Sequence, residues 1–349
     1  MRFGSAHSKA DDSLATMEHV AQWIKTWTED GWRAEVLSWV DMACEAYSIK
    51  RIGAPQSASS SIRATHLRVP TDAGLLFFKA VAPGQLFEPP VTAAAASLVP
   101  ERLVMPLAID PDRGWMLSPD YGATLDELAT TPALWVRALG ALGQLQRELV
   151  PCEEALFDAG LQILDPAWIP EEFNNALTLH ASLPAEHPLG IPARDADHAF
   201  AALKDIEEAC AQLIAGPIPL SLEHGSFDRR RVFAPTDEST APRILNLGDA
   251  HWAHPFASLA RPIERMRIDF RAQADDPRII AAIGAYLAAW GDYGSPDELY
   301  ALVAPALRIS PLHTHETWLQ LLAEADEPAL LRWAPKVLEP LAELAATTA

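Results

Sequence analysis

The stretch that decides how this chain is read is His224-Gly225-Ser226-Phe227-Asp228-Arg229-Arg230-Arg231, followed after a short interval by Asn246-Leu247-Gly248-Asp249. Short apolar runs, Ile218 to Leu222, Arg231 to Ala234 and Ile244 to Leu247, border both segments, so these read as strands that carry polar loops. The loops place hydroxyl, carboxylate, amide and guanidinium groups on a rigid support, which is where binding chemistry concentrates. Ser226 has an ordinary alcohol and is a poor proton acceptor at neutral pH, and the Arg231 guanidinium has no acceptor atom to offer a cation. The run Arg229-Arg230-Arg231 is either a solvated basic patch or a holder of anionic ligands.

Outward from these loops the chain is mostly helical. Leu134, Ala138, Ala141 and Leu145 line one face, Ala201 to Ile214 is a further helix, and Ser295-Pro296-Asp297-Glu298 opens another with an N-cap serine, a first-turn proline and a capping-box glutamate. Toward the N-terminus the character changes. Ile62 to Val69 and Leu75 to Val81 read as strands joined by the turn Thr71-Asp72-Ala73-Gly74, and Leu103 to Ile109 with Trp115 to Leu117 forms a second hairpin through Pro111-Asp112-Arg113-Gly114. Phe87 to Leu98 is alanine-rich and helical once past Pro89 and Pro90. Two amphipathic helices precede the sheet, with stripes Val20, Trp23, Ile24, Trp27 and Leu37, Val40, Cys44, Tyr47.

The 349 residues and 49% hydrophobic content suit a globular protein with a large core. A net charge of −20 argues against a nucleic-acid partner, which needs a concentrated positive face. No apolar stretch is long enough to cross a bilayer and Met1 to Asp12 has no signal pattern, so the expected location is the cytoplasm, with no membrane partner. Cys44, Cys152 and Cys210 are too scattered for a disulfide frame or zinc site and are expected to be reduced and buried. His251 with His254 and His313 with His315 lack cysteine or acidic neighbours at zinc-like spacing and read as structural, and the 11 tryptophans read as core. His224 beside Ser226 has no G-x-S-x-G elbow around it, which argues against a hydrolase.

Taken in order, Thr71-Asp72-Ala73-Gly74 with Phe78-Lys79-Ala80, then Gly114-Trp115-Met116-Leu117, His224-Gly225, and Gly248-Asp249-Ala250 with His254-Pro255-Phe256, the chain resembles the bacterial aminoglycoside-phosphotransferase and choline-kinase-like proteins over nearly its whole length. The resemblance implies an α+β, protein-kinase-like bilobal fold. A small antiparallel sheet lobe with leading helices would occupy residues 1–118, and a larger, mainly helical lobe residues 119–349. It implies that Lys79 holds nucleotide phosphates and pairs with a helix glutamate, for which Glu88 is the best match. It makes Met116 to Gly122, including Leu117 and Asp120, the hinge where backbone groups meet adenine.

The family's catalytic loop reads H-G-D, four residues, N, and its second metal loop opens with an aspartate. Here Ser226 replaces the base, Arg231 replaces the asparagine, and Asn246 replaces the metal-binding aspartate. By formal charge the site becomes more positive by about three units, which disfavours magnesium. The resemblance with these losses implies a pseudokinase or strongly impaired kinase that binds ATP, another nucleotide or a phosphorylated small molecule, with Arg231 in the charge role of a metal. An active kinase repaired by Asp228 as base and Asp249 as metal ligand is the first alternative, and a non-catalytic module with a protein partner the second. The acceptor would be set by Pro166 to His187 and Trp290 to Trp318. Ser226 and Asn246 are expected in one cleft, with Lys79 entering it from the other lobe.

Overall fold

The computed structural model describes residues 21–128, 130–184, 186–234 and 241–346. Val20 and the Met1 to Asp12 segment lie outside the described residues. Two helices lead, α1 (Gln22–Thr26) and α2 (Asp30–Glu45), followed by strands β1 (Gln56–Ser60), β2 (Ala64–Thr71) and β3 (Gly74–Val81), helix α3 (Glu88–Leu98), and strands β4 (Ala108–Asp110) and β5 (Trp115–Pro119). The five strands form one antiparallel sheet in the order β1-β2-β3-β5-β4. The serine-rich strand β1 is the exposed edge of this sheet.

Strand alternation gives this sheet two chemically different faces. Leu67, Phe78 and Leu117 point to one side, where the rings of Phe78, Trp115 and Trp39 meet edge to face at 5.7 to 6.0 Å. The α2 residues covering that face are Val36, Trp39, Val40, Ala43 and Cys44, which share only Val40 and Cys44 with the expected stripe. Leu37 is only half-buried, and Tyr47, beyond the helix end, is 54% exposed. The opposite face carries polar residues in cross-strand rows. His66 on β2 stands opposite Lys79 on β3, which stands opposite Met116 on β5, and Arg68, Phe77 and Ser118 form the next row.

Helices dominate the rest of the chain. The amphipathic Pro132–Leu149 helix buries Trp135, Ala138, Leu139, Leu142 and Leu145 against the Pro277–Leu287 helix, and the Ser295 capping box forms as expected. A three-stranded sheet of β6 (Ile163–Leu164), β10 (His251–Ala253) and β7 (Ser221–Glu223), with a small hairpin of β8 (Val232–Phe233) and β9 (Arg243–Ile244), holds the loops singled out above. The last two helices, Val303–Leu322 and Glu327–Ala346, return to the first lobe, where Trp318, Leu321 and Val337 join the core beneath its sheet. The chain thus pairs a small antiparallel sheet lobe with a mainly helical remainder. Among the described residues no helix is long and apolar enough to cross a membrane. The cysteines are free, with Cys44 and Cys210 buried and Cys152 half-buried. Ten of the tryptophans are buried or half-buried, and Trp168 is the exception at 49% exposure.

Candidate functional site

The polar face of the sheet opens on a cavity of ≈ 360 Å³ that reaches across to β8 and the loop after β9. Lys79, buried at 8% exposure near the end of an apolar strand, donates from Nζ to a Glu88 carboxylate oxygen and to Asn246 Oδ1 at 2.9 Å. Glu88 is the first residue of α3, so Pro89 and Pro90 fall in the first turn, where no amide hydrogen is required. Burial pushes the Lys79 ammonium down from its ordinary pKa, the charge and hydrogen bond of Glu88 resist that shift, and Arg231 adds to it. His66, in the same row, is driven to about 3 by burial first and then by Lys79 and Arg231, so it is neutral at physiological pH and shares a 3.0 Å hydrogen bond with Ser59.

The expected hinge residues divide according to the pleat. Met116 lines the cavity, whereas Leu117, one residue on, turns to the opposite face and is fully buried in the core. The Asp120 carboxylate accepts the Gly122 amide at 2.9 Å, holding its own turn rather than lining the cavity.

The three consecutive arginines have three different fates. Arg229 is buried, bonded to Thr130 and within 3.4 Å of both Asp126 and Asp269. Arg230 pairs with Asp228 at 2.7 Å, and Arg231 lines the cavity. Neither the solvated-patch nor the ligand-holding expectation therefore describes the whole run. Burial lowers the Arg231 pKa, and Arg231 Nε is buried without a hydrogen-bond partner among the described residues.

Of the loop residues expected together, Asn246 and Arg231 line the cavity, while Ser226, Asp228 and Asp249 do not. Ser226 is 3% exposed behind it; its hydroxyl makes no well-formed hydrogen bond but lies close enough to Asp249 to favour the carboxylate. Asp228 accepts the Arg230 amide at 2.8 Å as a helix cap and the Arg230 guanidinium through its other oxygen. Burial pushes its pKa up, but the Arg230 bond and the Arg230 and Arg231 charges hold it below the usual carboxylate range. Asp249, the metal ligand of the active-kinase alternative, is paired with Arg63 from the β1–β2 turn, and Arg63 also lies over the Trp318 ring at 4.5 Å. Burial raises the Asp249 pKa, but Arg63, Ser226 and Arg231 hold it low. Gln85 adds a 2.6 Å bond to Gly248 O, tying the first lobe to the same loop.

The carboxylates around the two loops already have cationic partners: Glu88 has Lys79, Asp228 has Arg230, and Asp249 has Arg63, while Glu127, in the cavity wall farther along the chain, accepts the Thr124 amide at 3.1 Å and pairs with no cation among the described residues. Conversely, Arg68 and Arg231 both line the cavity with no carboxylate within ion-pair distance among the described residues. The residues present do not fit magnesium, since the remaining amide oxygen, Asn246 Oδ1, already accepts from Lys79. No group of three or more metal-type ligands occurs among the described residues.

The histidine pairs turn out to be joined. His251 and His313 come within 6.3 Å, and His313 Nδ1 lies 3.6 Å from buried Glu223, which accepts the Gly225 amide at 2.8 Å. Burial pulls His251 to about 4 and His254 to about 3. Their expected hydrogen bonding is only partly realised. His315 Nδ1 meets Val337 O at 2.8 Å, but neither His313 nitrogen has a hydrogen-bond partner among the described residues. Gly225 has φ +68° and no room for a side chain, because a Cβ would come within 2.0 Å of Asp249 O.

Sequence reasoning missed His66, Arg68, Arg63 and Thr92. The first two were legible, because counting back from the Thr71–Gly74 turn sets His66 opposite Lys79 and Arg68 opposite Phe77. Thr92 lies one helical turn beyond Glu88 and faces the cavity. No local pattern marks Arg63.

No protein-family profile and no curated protein sequence matches this chain. Among solved structures it resembles the macrolide 2'-phosphotransferase MphH from Brachybacterium faecium at 14% identity, with TM-score 0.55, over 85% of this chain and 97% of that one. It resembles the Plasmodium vivax ethanolamine kinase at 10% identity and TM-score 0.58, over 85% and 83% of the two chains. The spectinomycin phosphotransferase APH(9)-Ia, solved with ADP and spectinomycin, aligns at 11% identity and TM-score 0.51 over 89% and 98%. This chain carries the fold shared by the antibiotic phosphotransferases and the choline and ethanolamine kinases.

Proposed function

We propose that this protein is a pseudokinase of the aminoglycoside-phosphotransferase type, which binds a nucleotide or another phosphorylated small molecule between its lobes without magnesium and does not transfer the phosphoryl group. The observation that carries the reading is the charge pairing around the cavity. The carboxylates Glu88, Asp228 and Asp249 are each matched by a cation, while the Arg231 guanidinium in the cavity wall and the exposed Arg68 at its margin have no carboxylate partner among the described residues and are left for a ligand's anion. Lys79 and Arg231 would hold the phosphate. Asp228, offered as a substitute base, is poorly suited, because its bonds to Arg230 lower its basicity and it does not line the cavity. Asp249 is equally engaged, and a metal there would have to displace Arg63.

The test is titration with ATP and other phosphates in EDTA and in magnesium, followed by thermal unfolding, with ATP consumption assayed in parallel. Stabilisation by a phosphate compound that is the same with and without magnesium, and no turnover, is the expected result. Turnover by the unmodified protein that Asp228→Asn abolishes would overturn it, as would stabilisation seen only with magnesium.

A further inference from the structure

Resting on that reading, we infer that the cleft's ligand is a compact organic phosphate with an apolar body, not a purine nucleotide. The first observation is at the hinge. A purine base in such a cleft is read by backbone N–H groups of the connecting segment, and the cavity-lining residues there are Met116, Ser118, Pro119 and Gly122. Pro119 has no amide hydrogen. The Gly122 amide is given to the Asp120 carboxylate at 2.9 Å, and the neighbouring Asp120 amide is given to Leu75 O at 3.1 Å. Antiparallel ladders alternate hydrogen-bonded and non-bonded pairs. The Asp120 to Leu75 and Val81 to Gly114 bonds at the two ends therefore put Ser118 with Phe77 and Met116 with Lys79 in bonded pairs, which spends the Ser118 and Met116 amides within the sheet. A purine ring would find no free backbone donor among the cavity-lining residues of this segment, and a base that is read there by backbone hydrogen bonds loses them.

The second observation is at the other end of the cavity. Thr92 is 3% exposed, and its Oγ1 is buried without a hydrogen-bond partner among the described residues. Arg231 Nε is in the same condition, and both residues line the cavity. A buried hydroxyl and a buried guanidinium N–H left unpaired cost free energy unless a ligand oxygen satisfies them. An oxyanion supplies acceptors for both, and the Arg231 charge favours it. Between these ends the walls include Phe77, Val104, Met116 and Phe233, which offer an apolar body contact surface and little else.

Binding is measured by calorimetry in EDTA with 1-naphthyl phosphate, inorganic phosphate, tripolyphosphate, ATP and adenosine. 1-Naphthyl phosphate is expected to bind more tightly than inorganic phosphate, ATP no more tightly than tripolyphosphate, and adenosine not at all. Arg231→Gln should weaken the aryl phosphate by about tenfold or more, the usual effect of losing a hydrogen bond to a charged group. Thr92→Val, which keeps the shape, should weaken it by a smaller factor while leaving the unfolding temperature near that of the parent. Binding by adenosine, ATP at least tenfold tighter than tripolyphosphate, or an aryl phosphate no tighter than inorganic phosphate each overturns this inference while the metal-free phosphate site stands. If none of the phosphates binds, both readings fall.

Discussion

Glu88→Gln should destabilise the protein in a way that depends on pH with a definite sign. Glu88 is 1% exposed and Lys79 8%, so the substitution leaves an ammonium in the interior with only neutral acceptors. Removing one member of a buried pair typically costs about 3–5 kcal/mol. Lys79 can escape part of that cost by losing its proton. Deprotonation from an ordinary value near 10.4 costs about 1.4 kcal/mol per pH unit, so it caps the penalty at roughly 4–5 kcal/mol at pH 7 and roughly 2 kcal/mol at pH 9. The sign follows from linkage. The folded Lys79 already has a lowered pKa, and without Glu88 it falls further, so between that value and 10.5 the unfolded chain binds more protons and stability rises with pH. At about 1–2 °C per kcal/mol for a chain of this length, the unfolding midpoint should fall by about 3–10 °C at pH 7 and by clearly less at pH 9. Lys79→Met added to Glu88→Gln removes both charges and should recover most of the loss. The assay is thermal unfolding of parent, single and double variants at both pH values. A deficit that is the same at pH 7 and pH 9, or a double variant no better than the single, would refute the reasoning.

Arg63→Gln should cost about 2 kcal/mol at neutral pH, discounted because Arg63 is partly exposed, and should change the acid limb of the stability profile. The depressed Asp249 carboxylate contributes stability that is present above the unfolded value near 3.8 and is lost as pH falls through the lower folded value. Without Arg63, burial raises that pKa, so denaturant titrations from pH 7 to pH 3 should show the gap between parent and variant narrowing, and a constant gap would count against the pairing. Gly225→Ala should cost about 3 kcal/mol or more by chemical denaturation, since its Cβ meets Asp249 O and its φ is +68°. A change below about 1 kcal/mol would mean the two loops do not touch as described.

What the amino-acid order alone determined is what depends on near neighbours. The apolar run Leu75 to Val81, the prolines that start α3 at Glu88, the Ser295 cap and the presence of Ser226, Arg231 and Asn246 in the two loops are all local, and all could be read directly. The choice of Glu88 for Lys79 came from the resemblance, and it joins a strand to the helix that follows it. Face was harder: Leu117 and Met116 are adjacent, and only the register of β5 against β3 decides that one enters the core and the other the cleft. The tertiary structure alone decided which carboxylate each cation meets. Arg63 reaches Asp249 across 186 positions and Lys79 reaches Asn246 across 167, and no local period encodes such a pairing. Burial then sets the consequence, because a charge removed from water must find a partner or wait for one. That Arg231 lines the cavity without a carboxylate partner among the described residues was therefore a property of the folded chain and not of any segment within it.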